Sequence, residues 1–214
     1  MRRLIVLGVL AFTSWGLATQ VTLVATDPAP LPGAQVGLTV SGVPAGAQLS
    51  WDFGGDGTVD QITDTPSIPY LVQAGYQEIA VQVHLGDRTV SSARIAISAD
   101  PSLGVYRTVS HSDTGSDEVT VVLRTRVHLY APAIEEFIPA GWSVEVIDDG
   151  GAVYMVGESL QAVWALELWP GDEVTLRYIL YPGASEAARL AGSASGYGPD
   201  GRIEVQIGGA VVVP

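Results

Sequence analysis

The stretch Trp51-Asp52-Phe53-Gly54-Gly55-Asp56-Gly57 sets an aspartate between two aromatic rings and follows them with a Gly/Asp turn. Downstream, Ala74-Gly75-Tyr76 opens a run in which Ile79, Val81, Val83 and Leu85 alternate with Ala80, Gln82 and His84. Residues two apart share one face of a strand, so this alternation marks a half-buried strand. Aromatic pair, tight turn and alternating strand together read as one small β-sandwich.

The same grammar extends outward on both sides. Val36, Leu38 and Val40 alternate with Gly37, Thr39 and Ser41, and a further strand runs from Val90 to Ile97 before Ala99-Asp100-Pro101 breaks the pattern. Turn signals separate these runs at Pro30-Leu31-Pro32-Gly33, Pro44-Ala45-Gly46, Gly55-Asp56-Gly57 and Gly86-Asp87. In the second half, Val119 to Tyr130 reads as one long strand with Val119, Val121, Leu123, Val127 and Leu129 on one face. Trp142 to Ile147, Val163 to Leu168 and Val174 to Tyr181 are further strands, and Ile203–Ile207 with Ala210–Val213 reads as a closing hairpin around Gly208-Gly209. Ala184 to Ala191 is the one short helix candidate. Short strands at this spacing predict an all-β fold: two tandem immunoglobulin-like β-sandwiches over 20–99 and 103–214, joined by the stiff junction Asp100-Pro101-Ser102.

Composition supports a folded chain. Hydrophobic residues make up 47% and charged residues 15%, which leaves enough apolar surface to offset chain entropy. The net charge is −13, all ten basic residues are Arg, and there is no Cys. The acidic balance disfavours nucleic acid and anionic membranes as partners. The lack of Cys excludes disulfides, a thiolate metal site and a cysteine nucleophile. At the N-terminus, Arg2 and Arg3, the apolar Leu4 to Phe12 and the small-residue Gly16-Leu17-Ala18 read as a secretory signal peptide over 1–18. An uncleaved anchor is the alternative, although a spanning helix needs about 20 apolar residues.

Over about 20–98 the chain resembles the PKD domain, an immunoglobulin-like module of secreted and cell-surface proteins. The resemblance rests on Leu49-Ser50-Trp51-Asp52-Phe53-Gly54, Asp56-Gly57, Ala74-Gly75-Tyr76 and the Ile79-Val81-Val83 strand. It implies that Trp51 packs between the sheets. The family's usual His-x-Tyr is Ile68-Pro69-Tyr70 here, which keeps the Tyr and loses the His. Residues 103–214 are similar to Ig-like repeats of bacterial surface proteins, through Ile138-Pro139-Ala140-Gly141-Trp142 and Pro170-Gly171-Asp172-Glu173-Val174-Thr175-Leu176-Arg177-Tyr178. Both resemblances imply an extracellular spacer or adhesion module.

Candidate chemistry is sparse. Asp52, Asp56 and Asp60 around Gly57 are spaced so that their carboxylates could converge on a weakly held Ca²⁺, yet the positions of a third ligand and a bidentate acid are Gly54 and Thr63. The alternative is a β-turn in which the aspartates accept backbone amides. Glu135-Glu136 and Asp148-Asp149 read as solvated turn charges, because neighbours in a strand point to opposite faces and cannot form an acid/base pair by themselves. Ser110-His111-Ser112-Asp113 has triad residue types without the separate elements a triad needs. His84 and His128 fall on polar strand faces, Trp142 and Trp164 in apolar strands that predict burial, and Trp169 with Tyr181 form the candidate ligand-binding pair.

The sequence therefore predicts a non-catalytic secreted or cell-surface module, with no cofactor beyond that Ca²⁺. Its expected partners are other surface proteins or glycans, and the mature chain has no stable membrane insertion. The terminal Ala210–Val213 strand is the edge expected to accept another chain by β-augmentation. The alternative is a carbohydrate-binding accessory module of a glycan-degrading system.

Overall fold

The computed structural model describes residues 21–111, 115–183 and 188–213, so the signal-peptide segment 1–18 lies outside the described residues. All regular structure in the described residues is strand. The first half contributes β1 (Thr22–Ala25), β2 (Gln35–Ser41), β3 (Gln48–Asp52), β4 (Gln61–Thr63), β5 (Ser67–Leu71), β6 (Gly75–Leu85) and β7 (Arg88–Ala99). Next come β8 (Leu103–His111), β9 (Asp117–Thr125), β10 (Leu129–Phe137), β11 (Ser143–Asp148), β12 (Val153–Val156), β13 (Ser159–Val163) and β14 (Glu167–Leu168). The chain ends with β15 (Glu173–Tyr181), β16 (Ala188–Arg189), β17 (Ala191–Gly198), β18 (Gly201–Gln206), β19 (Gly208–Gly209) and β20 (Val212–Val213).

In the first half, β1-β2-β5 faces β4-β3-β6-β7 across a core centred on Trp51, Leu38, Leu49, Ile79 and Ile97. That strand order places A, B and E in one sheet and C′, C, F and G in the other, the arrangement of an immunoglobulin-like sandwich. Alternation does its expected work here. Val36, Leu38 and Val40 are buried, as are Ile79, Val81 and Val83. Leu85, at the hairpin end of β6, is exposed.

The second half packs β8-β9-β15-β11 against a six-stranded sheet ordered β12-β13-β10-β17-β18, with β14 pairing β10. Its core contains Val121, Leu123, Leu129, Ile134, Trp164 and Leu176. The fold is all-β, and both halves are layered sandwiches.

Three features depart from the sequence reading. The run from Val119 to Tyr130 is two strands: β9 ends at Thr125, whose hydroxyl donates to the Val127 carbonyl (2.6 Å), and the chain crosses there to the opposite sheet. The expected closing hairpin does not form. Instead, β18 pairs β17 around Pro199-Asp200, and Gly208-Gly209 crosses to the seam, where it pairs with both β8 and β7. Of the helix candidate, residues 184–187 lie outside the described residues, while Ala188–Arg189 is strand paired with Val212–Val213.

Gly208-Gly209 joins the two halves. As β19 it lies between β7 and β8, antiparallel to the first and parallel to the second, so one nine-stranded sheet runs through the whole molecule. The inserted strand has to approach both neighbours closely. A Cβ on Gly209 (φ 87°) would fall 2.0 Å from the Arg107 carbonyl oxygen, and one on Gly208 2.5 Å from that of Pro28. Other contacts reinforce the seam: Arg126 donates to the carbonyls of Asp100 (2.7 Å) and Ala29 (2.6 Å), and Arg189 pairs with Glu78, which also pairs with Arg94 at 3.0 Å.

The terminal strand is therefore held on one side and is not wholly free. Val211 is buried, and Val212–Val213 is paired with β16. Among the edge strands of the second sandwich, β12 is the one without a charged residue.

Candidate contact surfaces

The Asp52–Asp60 segment is a structural turn. Asp52, buried at the end of β3, accepts the amides of Gly54 (3.2 Å), Asp56 (3.3 Å) and Gly57 (2.8 Å). Asp60 accepts the Phe53 amide at 2.7 Å, and Asp56 accepts that of Thr58 at 2.8 Å, which holds the Asp56 carboxyl below its usual value. Each carboxylate is turned towards loop amides, and no cluster of three acid or histidine groups fit for a metal occurs among the described residues. Asp52, Asp56 and Asp60 are thus not gathered into one such group as a Ca²⁺ site, and each turns at least one oxygen to a loop amide. The rings on either side serve packing. Trp51 is buried with its Nε1 donating to Thr63, and Phe53 stacks between Trp51 and Tyr70.

The acidic doublet at 135–136 divides between two environments. Glu135 lies on the outer face, accepting from Ser159 and Gln161. Glu136 is not a solvated turn charge. It points into the core at 2% exposure and meets Arg107, itself 1% exposed, through two bonds of 3.0 and 2.6 Å. The third donor of Arg107 reaches the Ala210 carbonyl at 2.9 Å. Burial raises the Glu136 carboxyl, with Arg107 opposing, and burial also raises the nearby Tyr178 phenol well above its usual value. This knot joins the two sheets of the second sandwich to the inserted C-terminal strand. Asp148 and Asp149 accept the amides of Gly150 and Gly151 and are turn charges, as expected.

Trp169 and Tyr181 do not form one site. They flank opposite ends of β15, whose nine residues span about 26–30 Å. Tyr181 donates to Glu145 at 2.7 Å, a bond that raises its phenol pKa. Trp169 belongs to a different group. Its ring is 60% exposed and stacks on His128 with centroids 4.1 Å apart and planes 11° from parallel. His128 is tilted against Tyr130 at 4.4 Å and pairs with Glu167 at 3.0 Å, so it is not the solvated imidazole the strand pattern predicts. Tyr130 lies directly across from Tyr197, which lies across from Arg202, and these side chains line the outer face of the six-stranded sheet.

A single backbone feature places Tyr130 there. Between Tyr130 and Ala133 the pairing of β10 with β17 shifts register, and Ala131 has φ 46°. Without that bulge Tyr130 would share the parity of Ile134 and Glu136 and point inward. The extra residue turns Leu129 into the core and Tyr130 out. A non-glycine residue held in the left-handed region costs about 1–3 kcal/mol, and such strain clusters at functional positions.

The edge strand β12 is apolar on both faces. Val153 is 78% and Met155 64% exposed, and Tyr154 and Val156 are exposed as well. Val153 lies across from the exposed Val163, so the apolar strip continues one strand inward.

Comparison with known proteins adds little to this geometry. No family model and no curated protein matches the chain. Among solved structures, it is similar to the chitinase ChiA74 from Bacillus thuringiensis at 13% identity and TM-score 0.38, over 81% of this chain and 28% of that one. It is similar to the full-length major pilin SpaD from Corynebacterium diphtheriae at 9% identity and TM-score 0.43, over 90% of this chain and 64% of that one. The chain thus spans under two thirds of either protein's length, and at these scores neither likeness carries an argument about its function.

Proposed function

We propose that the chain is a non-catalytic, exported module of the cell surface or medium, that its first sandwich is of the PKD kind, and that it makes adhesive contacts by strand addition at β12. The export reading rests on the charged and apolar N-terminal sequence. The observation that carries the contact reading is the edge itself. Val153-Tyr154-Met155-Val156 has no charge and no Pro, the usual devices that blunt an edge, and all four side chains are exposed. A partner strand would gain main-chain hydrogen bonds there and would cover Val153 and Met155.

Charge selects the partner. Asp148 and Asp149 precede β12 and Glu158 follows it, in a protein of net charge −13. Antiparallel pairing with a second copy would set these acids against one another, which is unfavourable. The fitting partner is an extended segment of another protein, apolar at alternate positions and carrying Arg or Lys at both ends. Its test is a fluorescent peptide Arg-Thr-Val-Thr-Val-Thr-Arg titrated by anisotropy, with amide exchange followed at 153–156. Saturable binding that protects these amides, and is abolished by Val153→Lys with Met155→Lys at unchanged melting temperature, supports the reading. Absence of protection at β12 overturns it.

A further inference from the structure

We infer that the Trp169–His128–Tyr130–Tyr197 group is a second, independent contact site: an aromatic platform for the pyranose rings of a neutral glycan. Tyr130 and Tyr197 are exposed and lie across from each other on the outer face of one sheet, and the exposed Trp169, in the turn that follows β14, joins them through His128. The imidazole of His128 touches both Trp169 and Tyr130 and is tethered by Glu167, so the rings are oriented before any ligand arrives. The Trp169 turn is fixed too: its amide donates to Asp172 at 2.8 Å and its carbonyl accepts the Asp172 amide at 2.9 Å. Preorganised rings lose little freedom on binding, and ordering costs are what otherwise erode affinity.

The chemistry around the rings selects the ligand. A pyranose presents an apolar C–H face, which packs on a flat π-surface, and a rim of hydroxyls that both donate and accept. Glu167, Arg202 and Glu204 surround the rings, all largely exposed, and Arg202 pairs with Glu204 at 3.0 Å. Carboxylate and guanidinium together supply acceptors and donors for hydroxyls. The two carboxylates and the overall negative charge repel uronates and sulfated sugars, which leaves neutral glycans. A proline-rich peptide also docks on aromatic rings, but it favours a groove that grips a polyproline helix. These rings line a sheet face instead. The strained bulge at Ala131 fits the same reading, since without it Tyr130 would be in the core and the platform would be broken in the middle.

Trp169 is its own reporter. Trp51, Trp142 and Trp164 are buried, so among the described residues only Trp169 offers an exposed indole. The experiment titrates the protein with soluble neutral polysaccharides (hydroxyethyl cellulose, xylan, soluble starch and glycol chitin), follows tryptophan fluorescence, and confirms binding by affinity electrophoresis. One of them is expected to bind and change the emission. Trp169→Ala and Tyr197→Ala should each weaken binding roughly tenfold, the scale of one aromatic contact, with melting temperature unchanged. Tyr181→Ala and the double Lys substitution in β12 should leave it intact, which separates this site from the edge strand. Failure of all four polysaccharides to bind, binding indifferent to Trp169→Ala, or binding of a polyproline peptide in their place would each overturn the inference.

Discussion

The two sandwiches handle buried charge differently. In the first, the core around Trp51 is apolar, and its acids are kept at the margins: Asp52 caps turn amides, and Glu78 meets Arg94 and Arg189 at the seam. In the second, a complete ion pair, Arg107–Glu136, is enclosed between the sheets beside Tyr178. Taking two charges out of water costs several kcal/mol each, and their attraction repays this only when geometry and extra hydrogen bonds are good. Here both conditions hold, and the extra bond is the informative one. Arg107 turns its third nitrogen, Nη1, to the Ala210 carbonyl, next to the strand that joins the halves. The pair is therefore placed where it specifies how β19 is seated on β8, whereas on the β7 side the described residues of the first sandwich enclose no such pair.

Removing one partner is the strongest way to break this contrast. Arg107→Ala leaves Glu136 buried and unpaired, and should cost about 3–5 kcal/mol in urea unfolding. Replacing both partners together, as Arg107→Met with Glu136→Leu, should come within about 1 kcal/mol of wild type, because an apolar pair needs no compensation. If the pair specifies the seam, the double variant will nonetheless lose amide protection at Gly208–Ala210. Retained protection would mean that the pair is only a core filler.

A smaller effect tests the seam without touching charge. Gly209→Ala adds a Cβ where the Arg107 carbonyl stands, at a positive φ, and should cost about 2–4 kcal/mol from strain and overpacking together. Gly33 in the first sandwich has a similar φ of 80° but open space around it. Gly33→Ala should cost only the conformational part, about 1–2 kcal/mol. Equal losses at the two sites would show that β19 yields easily and that the nine-stranded sheet is not a tight junction.

How much of this was legible beforehand depends on parity. The first core could be read directly, since the buried residues of β2 alternate strictly and Ile79, Val81 and Val83 of β6 share one inward face. The buried pair was in principle readable as well. Arg107 is in phase with Leu103 and Val105, and Glu136 with Ile134, so each sits at an inward position. What hid it was the doublet Glu135-Glu136, which looks like surface charge until its partner, 29 residues away, is known. The platform was hidden more deeply. Trp169 stands out by its Pro-Gly neighbour, and the Val119–Leu129 alternation leaves Tyr130 on the outer face, but only a bulge at an ordinary alanine keeps it there while Ile134 and Glu136 point inward. Nothing in the residue type at 131 announces a left-handed backbone. The pairing of Trp169 with Tyr181 failed for a simpler reason: nearness in sequence along one strand becomes distance in space.

The smallest effect sharpens the contrast through pH. Tyr178 is almost wholly buried beside Glu136, and its phenol is raised well above 10, chiefly by burial and then by the Glu136 charge, with Arg107 opposing. An unfolded tyrosine ionises near pH 10, so above that pH the unfolded chain releases a proton that the folded chain retains. Stability from this group is thus complete below about pH 10 and is lost as pH rises toward the folded value, at up to about 1.4 kcal/mol per unit. Tyr178→Phe should flatten this alkaline limb relative to wild type while changing stability at pH 7 by about 1 kcal/mol or less. In the first sandwich Tyr70 and Tyr76 are raised too, again chiefly by burial. They are less enclosed, so their removal should flatten the limb less. Were Tyr70→Phe to flatten it as much as Tyr178→Phe, the enclosed polar knot would not be what sets the second sandwich apart.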